Sequence, residues 1–155
     1  MAQPFNLGSV ATPLAWVPTI QAAAYATGNC VGAKFQVTDG ANVGDIKALI
    51  QSIVLTDKDK QNLAIDIVLF NDNPSASTLN DKAAASIVAA DLPKVIGLAQ
   101  VTSWTADGIG FVGNLAMPVY VPGGKSLYAV LIARGSATFT STSSVSVQLN
   151  PVPAR

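Results

Sequence analysis

The acidic side chains of this chain are all aspartates, at Asp39, Asp45, Asp57, Asp59, Asp66, Asp72, Asp81, Asp91 and Asp107, and there is no glutamate and no histidine. Without histidine there is no Ser-His-Asp or Cys-His constellation, no imidazole base and no imidazole metal ligand, which removes most hydrolase mechanisms. Paired carboxylates remain as an acid–base device, but glycoside hydrolysis needs two whose environments drive their pKa values apart. Most of the nine fall in segments that read as turns, where solvated aspartates normally sit, and no pair is visibly split. Asp66 differs, because it lies inside an apolar run. It is expected to face solvent or to pair with a lysine or with Arg134 on a neighbouring strand. No enzymatic activity and no cofactor are expected.

The other candidate motifs fail on spacing. Asp57-Lys58-Asp59-Lys60 begins like a calcium loop, but Asn62 stands where the motif needs glycine and Val68 where it needs the bidentate glutamate. It reads as a solvated hairpin turn. Asn71-Asp72-Asn73-Pro74 and Asn80-Asp81 would gather oxygens for a hard cation only if the loop folded back, and Asx residues around a proline are ordinary turn chemistry. No metal is expected there. Val121-Pro122-Gly123-Gly124-Lys125-Ser126 lacks the first P-loop glycine, since Val119 occupies that place, and it leads into a strand rather than a helix. The single Cys30 has no partner for an intramolecular disulfide or a multi-thiolate zinc site, and reads as a small buried apolar residue. Trp16, Tyr25, Trp104, Tyr120 and Tyr128 are scattered without a shared motif and are expected to pack in the core or at subunit contacts.

The elements that must carry these residues read mostly as strands. The 155 residues fit one domain of ordinary size, half of them are hydrophobic, and only 12 % are charged against about 25 % in typical soluble proteins. Leu63 to Phe70 alternates as a strand does, Leu127 to Arg134 carries apolar residues on both faces, as central strands do, and Ser144 to Leu149 alternates polar with apolar up to Asn150-Pro151. Weaker strands are expected at Tyr25 with Cys30 to Thr38, Ile50 to Thr56, Val95 to Trp104 and Ala137 to Thr142. Ile46, Leu49, Ile50 and Ile53 also fit a helical turn ahead of the strand at Ile50. Asp81 to Val88 is rich in helix formers behind possible caps at Ser77, Thr78 and Asn80, and predicts one short helix.

Short strands at regular spacing with turn signals between them predict an all-β, mainly antiparallel fold. It is a β-sandwich or jelly roll with one short helix and an extended N-terminal arm. Residues 1–20 form that arm, which carries Pro4, Pro13 and Pro18 and either extends to a neighbour or serves as an irregular edge strand; residues 21–155 form the domain. Nine basic against nine acidic residues give no net charge, which disfavours nucleic acid as a partner and favours self-association. No apolar run approaches the ~18 residues of a spanning helix, and the start lacks a basic signal-peptide region, so no membrane association or signal-directed export is expected.

Several phrases together resemble a group of small tailed-bacteriophage head decoration, or cement, proteins. They are Tyr25-Ala26-Thr27-Gly28-Asn29-Cys30-Val31-Gly32, Leu63 to Phe70 with Asn71 to Thr78, Asn80-Asp81-Lys82-Ala83-Ala84, and Lys125 to Gly135. Asn29 stands where the pattern usually has an acidic residue. The resemblance implies a β-rich, non-enzymatic virion protein on the capsid exterior, present in host cytoplasm during assembly. Its implied partners are the major capsid protein and its own copies, commonly as a trimer at local threefold positions. On that reading Pro4, Phe5, Leu7, Leu14 and Trp16 of the arm are the candidate capsid or subunit contacts. The rival expectation is a module for host-surface glycans, with lips at Asn71 to Asn80 and Ala106 to Asn114 and Trp104 as the aromatic floor.

Overall fold

Apolar side chains at alternate positions over a dozen residues make β4 (Ile46–Asp57) the longest strand of the structure, and two edges of hydrogen-bonding groups on it organise one sheet. The computed structural model describes residues 13–38 and 44–153. In chain order the other strands are β1 (Leu14–Trp16), β2 (Ala24–Tyr25), β3 (Phe35–Gln36), β5 (Ile65–Phe70), β6 (Val95–Val101), β7 (Ile109–Val112), β8 (Met117–Val121), β9 (Tyr128–Ala133), β10 (Ala137–Thr138) and β11 (Val145–Pro153). Five of them form one antiparallel sheet, ordered β1-β11-β4-β7, with β8 on the same side of β4 as a second partner. Four form the other, ordered β3-β9-β5-β6, while β2 and β10 make a small ribbon. The result is the all-β sandwich that the alternation predicts.

The core lies between the two sheets. Ile50, Ile53 and Leu55 of β4 and Val145, Val147 and Leu149 of β11 meet Ile65, Ile67 and Leu69 of β5 and Ala129 and Leu131 of β9. Each fully buried Leu or Ile contributes about 1.5–3 kcal/mol relative to exposure. The central place expected for the strand at Leu127 to Arg134 holds, and the strand at Leu63 to Phe70 lies beside it: β5 and β9 are paired on both sides, and every residue of β5 is buried. The outward residues of these two strands, Val68, Phe70, Val130 and Ile132, form a second apolar cluster with Cys30 and Leu79.

That second cluster explains the main departure from expectation. Asp81 to Val88 is not a helix; the described residues contain only a 3-10 turn at Leu92–Lys94. Its burial alternates with period two, so that Ala83, Ala85 and Ile87 turn inward and Ala85 and Ile87 pack on the second cluster. The backbone of residues 28–30 supplies partners: Cys30 N–H donates to the Ala83 carbonyl, Lys82 N–H to Cys30 and Ala85 N–H to Gly28, at 2.8–2.9 Å. A helix of eight residues has little stability of its own, and the tertiary pairing wins. Lys82, in the left-handed region at φ 64°, also breaks any helical path.

Other boundaries move for similar reasons. No helical turn precedes Ile50, because β8 pairs with Ile46 to Ile50 and draws β4 out to its full length. The strands expected at residues 30–38 and 137–142 contract to β3 and β10. Conversely β11 does not stop at Asn150: a register shift there absorbs Pro151, and pairing with β4 continues to Pro153. The turn after Asp57 joins strands of different sheets and is no hairpin, and Asp57 in it is 2 % exposed rather than solvated.

Candidate binding surfaces

Seven of the eight described carboxylates, all but Asp107, are occupied as structural acceptors. Asp57 takes the backbone N–H groups of Asp59 and Gln61 at 2.9 and 2.7 Å, closing its own turn. Asp59 accepts from the Ser144 and Thr140 hydroxyls and from Thr140 N–H, bonds that hold its carboxyl below the ordinary range. Asp81 receives Gly32 N–H, Gln21 N–H and the Tyr25 hydroxyl, and burial together with that bond raises the Tyr25 phenol. Asp91, 1 % exposed, is held low by Lys94 at 2.7 Å and by the Ser77 hydroxyl, also at 2.7 Å. Asp66 pairs with Arg134, one of the partners expected for it. Asp72 contacts Lys125 at 3.0 Å; burial raises its carboxyl, but that bond and the Asn73 N–H outweigh it and the net direction is down. Among the described residues no three Cys, His, Asp or Glu side chains gather, and Asp39 lies outside them. The arrangement is that of loops tied to a scaffold.

The two sheets differ on their outer faces. The outer face of β9 and β5 is covered by the segment from Leu79 to Ile87. The five-stranded sheet has no such cover among the described residues, and its strands carry only two charged residues, Lys47 and the buried Asp57. Ile109 and Phe111, 43 % and 53 % exposed, lie on its β7 edge. This outer face is sparsely charged and partly apolar, with the exposed Lys47 beside Tyr120 as its charge.

Of the arm residues singled out by sequence, Leu14 and Trp16 belong to β1, the opposite edge of the same sheet, where they pair with Leu149 and Val147. Trp16 is 7 % exposed and stacks on Phe35 of the other sheet, with ring centroids 5.3 Å apart and planes within 6°. Its ring clamps the two sheets together along one side. Pro4, Phe5 and Leu7 lie outside the described residues. Val17, immediately after β1, is 53 % exposed.

At the β7 edge, β4 changes partner. It pairs with β8 up to Ile50 and with β7 from Ile53, so Gln51 and Ser52 between them face neither strand. The connection from β7 to β8 loops around this gap, tied by Leu115 N–H to the Gln51 carbonyl at 2.9 Å. The gap is a shallow cleft of about 540 Å³ lined by Gln51, Ser52, Phe111, Gly113, Asn114 and Leu115. Phe111, Gly113 and Asn114 fall in the lip expected at Ala106 to Asn114, whereas Trp104, expected as the floor, does not line the cleft: Gly110, whose missing side chain makes room for its ring, lies beneath it. Trp104 itself packs on Gly110 and the core. No protein-family model matches the sequence, and no curated protein matches it.

Proposed function

We propose that the protein is a non-enzymatic virion structural protein, a decoration protein that binds the outer surface of a tailed-phage head as a homo-oligomer. The observation that carries this reading is the edge position of β1 within the uncharged N-terminal segment. The first charged side chain in the sequence is Lys34, and this neutral stretch enters the fold through β1, an edge strand. An apolar segment delivered at a sheet edge suits docking on a neighbouring protein, at about 25 cal/mol per Å² of apolar surface buried. The resemblance over residues 25–135 supplies the identity of that neighbour, the major capsid protein. The carboxylates, held by backbone and hydroxyl donors, support a structural role over catalysis.

Co-sedimentation with mature heads stripped of this protein, with solution mass measured by light scattering, tests the proposal. Saturable binding by a trimer is the expected outcome. A protein that stays in the supernatant at all concentrations overturns it.

A further inference from the structure

The cleft at the β7 edge has a chemistry of its own. Phe111 leaves more than half its surface in water although it sits in a strand, and its ring lies close over Gly113. A Cβ at residue 113 would stand 2.7–2.8 Å from two ring carbons, so glycine is what allows the ring to lie there. Beneath it, Val54 is its cross-strand neighbour on β4. The ring therefore lies over glycine with its outer face open to solvent, an accessible aromatic surface.

Around the ring stand amides and a hydroxyl, and none of the six lining residues is charged. Among the described residues the side-chain amides of Gln51 and Asn114 have no hydrogen-bond partner, and both residues are exposed. The Ser52 hydroxyl accepts from Asn150 Nδ2 at 2.9 Å, which leaves its own proton to donate outward. Asn114 is held at φ 54°, a conformation that asparagine tolerates better than most residues.

We infer that this cleft binds a neutral saccharide. A pyranose ring has one face of C–H groups, which match the negative face of an aromatic ring, and a rim of hydroxyls that both donate and accept. Free amides answer such a rim group by group, because each offers a donor pair and an acceptor. A charged ligand would find no counter-charge in the lining. A purely apolar one would leave the Gln51 and Asn114 amides without partners, at a cost in affinity. The volume lies in the range of small-ligand clefts, about 300–1,000 Å³. The site is on the edge opposite β1, so a protein docked through β1 would still present it to solvent.

Saturation-transfer NMR on the full chain with methyl α-glucoside, methyl α-galactoside, N-acetylglucosamine and maltose tests the inference. Transfer to pyranose C–H protons of at least one sugar is expected, with affinity reduced roughly tenfold or more in Phe111→Ala. Asn114→Gly, which keeps the backbone conformation while removing the amide, is expected to weaken the same sugar. Asn114→Gly should melt as the parent does, and Phe111→Ala, which loses a half-exposed ring, within a few degrees of it. No transfer to any of the four sugars, or transfer that survives both substitutions, overturns the inference. Head binding by the same variants is read separately: loss of head binding in Phe111→Ala, without sugar binding in the parent, assigns the cleft to a protein contact and also overturns it. A protein that binds sugar but ignores heads overturns the decoration reading and leaves this one standing.

Discussion

Cys30 is fully buried among Val68, Phe70, Val130 and Ile132, and burial, with the nearby Asp81 adding to it, pushes its thiol up to about 11. Thiols react as thiolates, so both access and ionisation oppose modification in the folded protein. Native protein is expected to resist a thiol-specific reagent over a period in which urea-unfolded protein reacts fully; rapid native labelling would contradict this burial. Asp91 makes the complementary case for acid. Its carboxyl is lowered by Lys94 and then Ser77, and it also accepts Ala76 N–H, so its ionised form fastens the segment that covers the second apolar cluster. A carboxyl whose folded pKa is depressed contributes stability that is complete above its unfolded value, about 3.9, and that disappears as pH falls through the folded one. Melting temperature should hold steady from pH 7 to 5 and drop below about pH 4. Asp91→Asn should melt lower than the parent at pH 7 and lose less on acidification, with the difference between the two narrowing toward pH 3. A parallel pair of curves would mean that the acid sensitivity resides in other groups, Asp59 first among them.

Strand β4 carries the five-stranded sheet, since β11 lies along one side of it and β7 and β8 share the other. Leu55 at its centre is fully buried and has Val147 of β11 and Gly110 of β7 as neighbours in register. Leu55→Ala is expected to cost about 2–5 kcal/mol in urea unfolding, with the slope unchanged. Elements of this kind were legible in the sequence because their alternation is long enough to be decisive: β5 and β9 fall inside predicted segments, and β11 begins in one and runs past its expected end at Asn150. The short ones were not. Ala83, Ala85 and Ile87 have helix-forming neighbours, yet their positions are set by backbone donors and acceptors at residues 28–30, some 50 residues away, which no local pattern encodes. The cleft was half legible: Phe111, Gly113 and Asn114 lie in the lip expected at Ala106 to Asn114, but its β4 wall and its aromatic, Phe111 in place of Trp104, were not. It arises where β4 exchanges β8 for β7, a tertiary event, and its aromatic wall is a phenylalanine in a four-residue strand. Asp66 with Arg134 shows the opposite case: Asp66 lies in β5 and Arg134 directly follows β9, the neighbouring strand, and Arg134 is one of the partners the sequence offered for it.

At the scale of the whole molecule the proposed decoration role asks which part of the uncharged N-terminal segment would dock and which part folds. Residues 14–16 are already in use within the chain, since β1 covers one edge of β11 and the Trp16 ring bridges to Phe35. Removing residues 2–19 would therefore take a buried tryptophan from the core, a loss of about 3–5 kcal/mol when truncated to alanine elsewhere. A defect in such a truncation would confound docking with unfolding. Removing residues 2–12 separates them, because β1 and the Trp16–Phe35 stack remain. The shorter truncation should melt within a few degrees of the parent, while its association with stripped heads weakens or its solution mass falls. If head binding and mass both persist after removal of residues 2–12, the docking surface lies within the domain itself, and the open outer face of the five-stranded sheet takes its place. Trp16→Ala in the intact chain then completes the comparison: a lower melting temperature with head binding retained at low temperature assigns the ring to the fold, and Pro4, Phe5 and Leu7 to the contact.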